Sequence, residues 1–383
     1  MASTRASFSA LLSVICSVFV LRSVCEAQDL RSCELDAIYQ LGDSTSDTGN
    51  LIHESSIGAA SPCGRPPYGQ DFPGGQTTGR CSNGLLMIDY LSRAAGVPFP
   101  DYYLNQSAAF TRGHGVNFAV AGATALPSYV LAQTNISNPA TNSSLGTQLD
   151  WMFSYFNGIC FDKADCLWKL KDALFMVGEI GGSDYYHALF QGKSIEEVKS
   201  LVPQVVMAIK DGVQRVIGYG ASRVVVPGSF PIGCLPSYLA RFKTHHPSAY
   251  DESRCLKGLN GLAAYHNDLL RKVIGELGEE NRDVVILYGD YYNAFTSMYR
   301  SGPYFGFDMV RAQRACCGIR GGDYNFDPDR QCGAPGVAVC PDHARAISWD
   351  GIHMTQRAYF IITDWLVRDL WPKLNCNASL IGN

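Results

Sequence analysis

The chain is 383 residues long, 46% hydrophobic and 17% charged, with a formal net charge of −4. That much apolar material, with charge below the ~25% usual for soluble chains, excludes a disordered or fibrous protein. A near-neutral balance with no block of five like charges leaves no footprint for nucleic-acid binding and no polybasic membrane patch.

Residues 1–27 carry Arg5, an apolar stretch over 8–21, and the small residues Cys25 and Ala27. This is the pattern of a secretory signal peptide cleaved after Ala27. Ser9, Ser13 and Ser17 interrupt the stretch, which falls short of the ~20 apolar residues a membrane-spanning helix needs. The expected destination is outside the cell, in the apoplast, with the vacuole as an alternative; no C-terminal K-D-E-L calls for retention.

Beyond the signal, the spacing predicts a strand over 37–41 that ends in Gly42-Asp43-Ser44. Residues 53–79, rich in Gly, Pro and Ser, read as a long surface loop rather than a domain boundary. A helix is expected over 85–91, a strand over 116–120, a third strand over 173–177 and a long helix from about 194 to 217. A fourth strand at 223–226 closes at Pro227-Gly228, a helix covers roughly 256–277, and a fifth strand follows at 284–287. The last helix begins near Thr355 as N-cap and stops before Pro372. These strands are mostly continuous apolar runs interleaved with helices, which predicts a parallel sheet covered on both faces. The chain therefore reads as one α/β domain over 28–383, with loops 127–144 and 302–339 shaping any pocket.

Fourteen cysteines include Cys16 and Cys25 in the signal, so twelve remain for an oxidising compartment. Cys160/Cys166 and Cys332/Cys340 are close enough to staple local loops, and the adjacent Cys316 and Cys317 are expected to bond different partners. No C-x-x-C or paired Cys/His spacing suggests a metal. Asn105, Asn135, Asn142 and Asn377 are glycosylation sequons.

Ligands of an open parallel sheet sit beyond the carboxyl ends of its strands, which is where Ser44 falls. Gly-Asp-Ser alone is a common turn, but three other segments accompany it. Asn117-Phe118-Ala119-Val120-Ala121-Gly122-Ala123 leaves the second strand at a glycine whose N–H can face an anion. Gly178-Glu179-Ile180-Gly181-Gly182-Ser183-Asp184 leaves the third strand in the same way, and Asp350-Gly351-Ile352-His353 precedes the last helix. A carboxylate three residues before a histidine, in a loop entering a helix, can fold back onto the ring. On Nδ1–H it fixes the tautomer and stabilises the imidazolium, leaving Nε2 to take a proton. A serine hydroxyl needs such a base to be a nucleophile.

With these blocks the chain resembles the plant GDSL-type esterase/lipase family of the SGNH-hydrolase superfamily. The likeness runs from Tyr39-Gln40-Leu41-Gly42-Asp43-Ser44 to Trp349-Asp350-Gly351-Ile352-His353, and includes Val226-Pro227-Gly228-Ser229-Phe230-Pro231-Ile232-Gly233-Cys234. Within the family it is similar to the branch that contains acetylajmalan and sinapine esterases, which act on acylated specialised metabolites. The resemblance implies a three-layer α/β/α sandwich with a flavodoxin-like parallel sheet. It also implies Ser44 as nucleophile, His353 as base and Asp350 as its orienter, with oxyanion donors from the N–H groups of Ser44 and Gly122. Two positions depart from the pattern: Thr45 stands where the family name has leucine, and Ser183 stands where an asparagine amide normally supplies the third oxyanion donor. The hydroxyl is a shorter donor that also accepts.

Other constellations are missing. No serine has glycine at both −2 and +2, so there is no G-x-S-x-G elbow, and no P-loop or G-x-G-x-x-G occurs. Gly113-His114-Gly115 reads as a turn, and His245-His246 as an exposed turn before Pro247. Asp43 and Asp290 lack support as glycosidase acids; Asp290 and Asp47 read as helix caps. The expected function is a secreted serine esterase acting on a small acyl ester through an acyl-enzyme. Its alternatives are an acyltransferase using the same intermediate, or a silent binding protein in which Ser183 disables the site. No metal or organic cofactor, no nucleic-acid partner and no stable membrane insertion is expected, and the chain should be a monomer.

Overall fold

The computed structural model describes residues 35–105, 114–319 and 321–374; the expected signal peptide and the sequon at Asn377 lie outside them. Six parallel strands form the central sheet: β1 (Ala37–Leu41), β2 (Asp101–Tyr102), β3 (Val116–Asn117), β4 (Ala173–Val177), β5 (Arg223–Pro227) and β6 (Val285–Gly289). Their order is β2-β3-β1-β4-β5-β6. Apart from the two-residue edge strand β2, this is the doubly wound, flavodoxin-like order, whose ligand crevice opens where the chain reverses direction across the sheet. That point is the carboxyl end of β1.

Helices α1 (Met87–Ala95), α2 (Leu145–Ile159), α3 (Lys163–Leu170), α4 (Gly182–Phe190), α5 (Ile195–Tyr219), α6 (Lys257–Glu280), α7 (Tyr291–Arg300) and α8 (Gln356–Leu370) make up the outer layers. Helix α5 packs on α2 and α6, and α8 packs on α1 and α7, which gives the three-layer α/β/α fold. Every residue of β1 and β4 is buried, so both faces take apolar side chains, except at Gln40, whose amide donates to the Leu41 and Gly178 carbonyls. Capping sets the long helices. Ser194 Oγ accepts the Glu197 N–H and Glu197 answers the Ser194 N–H. Thr355 Oγ1 accepts from Ala358 N–H at the start of α8.

Several expectations need correction. The strand expected over 116–120 stops at Asn117, because side chains take the groups a ladder would use. Asn117 Oδ1 accepts the Ala119 N–H, and Asn50 Nδ2 donates to the carbonyls of Asn117 and Ala119. The helix expected from 85 starts at Met87, where Asp89 accepts the Leu86 N–H and pairs with buried Arg80. Residues 53–79 are not a plain surface loop: Cys63 and Tyr68 are buried, pinned by a Cys63–Cys81 disulfide. Cys160 and Cys166 pair as expected, but Cys332 and Cys340 do not. Cys317–Gly318 pairs antiparallel with Ala338–Val339, which brings Cys316 to Cys340. Successive side chains of a strand point oppositely, and Cys317 bonds Cys332. A further disulfide joins Cys234 and Cys255. Asn135 and Asn142 are exposed and Asn105 is half-buried. No helix among the described residues is long and apolar enough to cross a membrane.

Candidate active site

The chain leaves β1 at Gly42, where a Cβ would stand 2.6 Å from Ser46 Oγ and 3.0 Å from the Glu179 carbonyl oxygen. Only glycine allows so close an approach. The Gln148 amide of α2 clamps this residue, accepting its N–H at 2.9 Å and donating to its carbonyl at 2.8 Å. Asp43 N–H donates to Glu179 O beyond the end of β4 at 3.1 Å. Asp43 Oδ1 accepts the N–H and hydroxyl of Thr45 at 2.9 and 3.0 Å. Ser44 is left half-buried at the tip of the turn.

Asp47 binds this turn to the segment that follows β3. Its carboxylate accepts the N–H groups of Gly49, Asn50 and Leu51, as a cap would, and that of Ala121, all at 2.7–3.0 Å. Gly122 follows with φ +81°, where a Cβ would strike the Ala140 methyl at 2.9 Å. No hydrogen bond within the described residues uses the N–H of Ser44 or of Gly122. The first turn of α4 is docked on the same segment by Asp184, whose carboxylate accepts Ala125 N–H and Leu126 N–H at 2.7 and 3.0 Å. Ser183 thereby joins Ser44 and Gly122 in one cavity.

The remaining residues come from the loop before α8. Cys316 and Cys317 donate their N–H groups to the carbonyls of Ser348 and Trp349, so the disulfide-stapled β-ladder braces the backbone leading into Asp350. Asp350 Oδ1 accepts Ile352 N–H and His353 N–H at 2.9 and 2.7 Å. Its Oδ2 meets His353 Nδ1 at 2.7 Å and the Tyr68 hydroxyl at 2.8 Å. His353 Nε2 lies 2.7 Å from Ser44 Oγ. A serine, a histidine and a carboxylate from residues 309 positions apart thus form one hydrogen-bonded chain.

Residues 38–366 match the GDSL-like Lipase/Acylhydrolase family. The chain belongs to that family. Acetylajmalan esterase 1 of Rauvolfia serpentina is 43% identical over 349 residues, covering 91% of this chain and 90% of its own. Acetylajmalan esterase of the same plant is 41% identical over 374 residues, with 98% and 95% covered. A GDSL esterase/lipase of Arabidopsis thaliana is 40% identical over 359 residues, with 93% and 90% covered. The family and these relatives make the chain a carboxylic-ester hydrolase.

The electrostatics of this hydrolase site follow from burial and from the Asp350–His353 bond. Burial by itself disfavours the imidazolium of His353, but Asp350, through charge and hydrogen bond, and Asp43 outweigh it and raise its pKa above the ordinary value. Burial likewise opposes the Asp350 carboxylate, yet His353 and two backbone N–H groups hold its pKa below the usual range. Burial pushes Asp43 up to about 6 against the Thr45 donors, and Asp184 up to about 7 against its own. With Asp350 ionised, Nδ1 must carry the ring proton, so Nε2 is the free acceptor for the serine.

The cavity over Ser44 has a volume of about 290 Å³, with Phe230, Ile232 and Leu235 among its apolar walls. Tyr68 and the Cys63–Cys81 disulfide line it from the 53–79 stretch, and Ala140 and Gln331 line it from the two loops expected to shape a pocket. Asp290 caps α7 by accepting Asn293 N–H. His245 and His246 stay in an exposed turn.

Proposed function

We propose that the protein is a secreted serine esterase, with one domain over 28–383, that hydrolyses a small acyl ester through an acyl-enzyme on Ser44. The hydrogen-bonded chain Ser44–His353–Asp350 at the foot of the cavity carries this reading. His353 Nε2 takes the hydroxyl proton as Oγ bonds the ester carbonyl carbon, and the C=O electron pair moves onto oxygen. The N–H groups of Ser44 and Gly122, with the Ser183 hydroxyl, receive that oxyanion. Its collapse expels the alkoxide, which takes the proton from His353. Water activated by the same nitrogen then releases the acid and restores Ser44. Relatives named for acetylajmalan support an acylated plant specialised metabolite as substrate, and the disulfides and exposed sequons support secretion.

A fluorophosphonate probe on the purified protein tests the reading. Covalent label mapped to the peptide containing Ser44 is expected; label elsewhere, or none, defeats it. Ser183→Asn, which restores the amide of the family pattern, is expected to speed labelling and raise kcat by about 10²-fold, the worth of one oxyanion donor. An unchanged or lower rate would mean that the Ser183 hydroxyl, or a water it holds, already fills the role.

The acid limb of kcat/KM offers a further check. Catalysis needs neutral His353, and its pKa is raised. Activity is therefore full above that pKa, is lost as pH falls through it, and has its midpoint above the ~6.5 of an ordinary histidine. A profile flat down to about pH 5 is incompatible with a histidine base of this kind.

A further inference from the structure

Five buried carboxyl side chains surround the catalytic end of the sheet, and four of them accept backbone N–H groups. Asp47 accepts four backbone N–H groups and Asp184 two. Asp43 has the N–H and hydroxyl of Thr45, and Asp350 has two N–H groups, His353 and Tyr68. Glu179 differs. It is only 6% exposed and lines the cavity that holds Ser44. Ser229 is the hydrogen-bonding side chain that acts on it, and among the described residues no backbone N–H and no Lys or Arg pairs with it. Its carboxyl lies against the first turn of α4, where a Cβ on Gly182 would stand 3.0 Å from Oε1. Burial first, then the charges of Asp43 and Asp184, hold the carboxyl well above its usual range, the behaviour of an acid without a positive partner.

The walls around it fit the same chemistry. Tyr186, Tyr238 and Phe230 line the cavity, with the Tyr186 and Tyr238 rings edge to face at 6.1 Å. Among the described residues, no Lys or Arg lines it. An anionic ester finds no counter-charge there, and beside a neutral one Glu179 stays protonated and gives no charge-based preference. A cation meets both aromatic side chains and a carboxyl able to ionise in the same cavity.

We infer that this end of the cavity is a cation subsite, in which Glu179 and the rings of Tyr186, Tyr238 and Phe230 receive a positively charged nitrogen of the substrate, a protonated amine or a quaternary ammonium. The inference rests on the esterase reading of the same cavity and narrows its substrate class.

Two pairs of esters that differ only in charge test it on the full protein. Trimethylammonioethyl acetate and 3,3-dimethylbutyl acetate place the charge on the alcohol side. Methyl trimethylammonioacetate and methyl 3,3-dimethylbutanoate place it on the acyl side. With kcat/KM corrected for hydroxide hydrolysis, one pair is expected to favour the cation by about tenfold or more. The preference should collapse toward one in Glu179→Gln, which keeps the shape but loses the charge. Turnover of the neutral esters with no preference in either pair overturns the subsite and leaves the esterase intact. If no ester is turned over and Ser44 resists the fluorophosphonate, the esterase reading fails instead. The subsite is then judged by calorimetric titration with benzyltrimethylammonium: binding weakened about tenfold by Glu179→Gln supports it, and no binding to the wild type overturns it.

Discussion

Alanine at Ser44 is expected to lower kcat for ester hydrolysis by about 10⁶-fold, with the melting temperature unchanged. The side chain has one partner, His353 Nε2, and stands half-buried at the tip of a turn held by other residues: Gln148 on Gly42, Thr45 on Asp43, and Asp47 on the segment beyond. Removing its oxygen therefore empties no core position and orphans no buried donor. What disappears is the covalent step. His353, still bonded to Asp350, can only activate water, and the N–H groups facing the cavity can only stabilise that slower attack, which leaves about 10³–10⁴ over the uncatalysed rate. Steady-state and burst kinetics with a p-nitrophenyl ester measure both parts: the wild type releases its first equivalent in a burst when deacylation is slower than acylation, and Ser44→Ala shows none. A variant that keeps more than about 1% of wild-type turnover, far above the residue expected after loss of a nucleophile, would place the nucleophile elsewhere. The alternative of a silent binding protein predicts no difference between the two proteins.

The parts of the fold that sequence reading found are those where one physical cause dominates. Strand β4 is an unbroken apolar run, and β1 and β5 are nearly so, because helices cover both sheet faces. Helix α5 is legible as a long helical run from about 194, and α8 through its N-cap Thr355. Where causes compete, the reading failed. Asn117 and Asn50 use side-chain amides to take backbone groups that a longer β3 would have paired. Helix α4 starts at Gly181-Gly182, residues that favour turns on their own, and it is held by Asp184 reaching across to Ala125 and Leu126. The pairing of Cys332 and Cys340 was decided by the antiparallel ladder beside them, which short sequence separation does not reveal.

The site divides in the same way. Ser44, Gly122, Ser183, Asp350 and His353 lie in glycine-marked turns at strand ends or ahead of a helix, where topology places ligands, and they meet in one cavity. Tyr68 and Gln148 had no such mark. Tyr68 sits in a Gly/Pro-rich stretch and reaches Asp350 across 282 residues, and Gln148 is one polar residue on a helix, 106 residues from the glycine it clamps. Glu179 stood within a recognised block, but its lack of compensation becomes visible only when the partners of its neighbours are known. Long-range polar contacts of this kind have no period and no spacing.

Asparagine at Asp350 should cost about 10⁴-fold in kcat through the tautomer of His353, with little change in shape. On the Oδ1 side, Asp350 accepts two backbone N–H groups, from Ile352 and His353. The single oxygen of an asparagine must stay there, because an NH₂ group facing two donors would leave all of them unpaired in a buried place. The amide nitrogen then takes the Oδ2 position, 2.7 Å from His353 Nδ1. As a donor it requires Nδ1 to be the acceptor, which moves the ring proton to Nε2. That N–H points at Ser44 Oγ and cannot receive the serine's proton. Tyr68, whose hydroxyl now donates to Oδ2, must turn to accept from the amide. The same substitution removes the charge that raises the pKa of His353 above its ordinary value, so the acid limb of the residual activity should move to lower pH. A merely structural defect would lower the rate without moving that limb, and the pH profile of Asp350→Asn therefore separates loss of the orienting carboxylate from loss of packing.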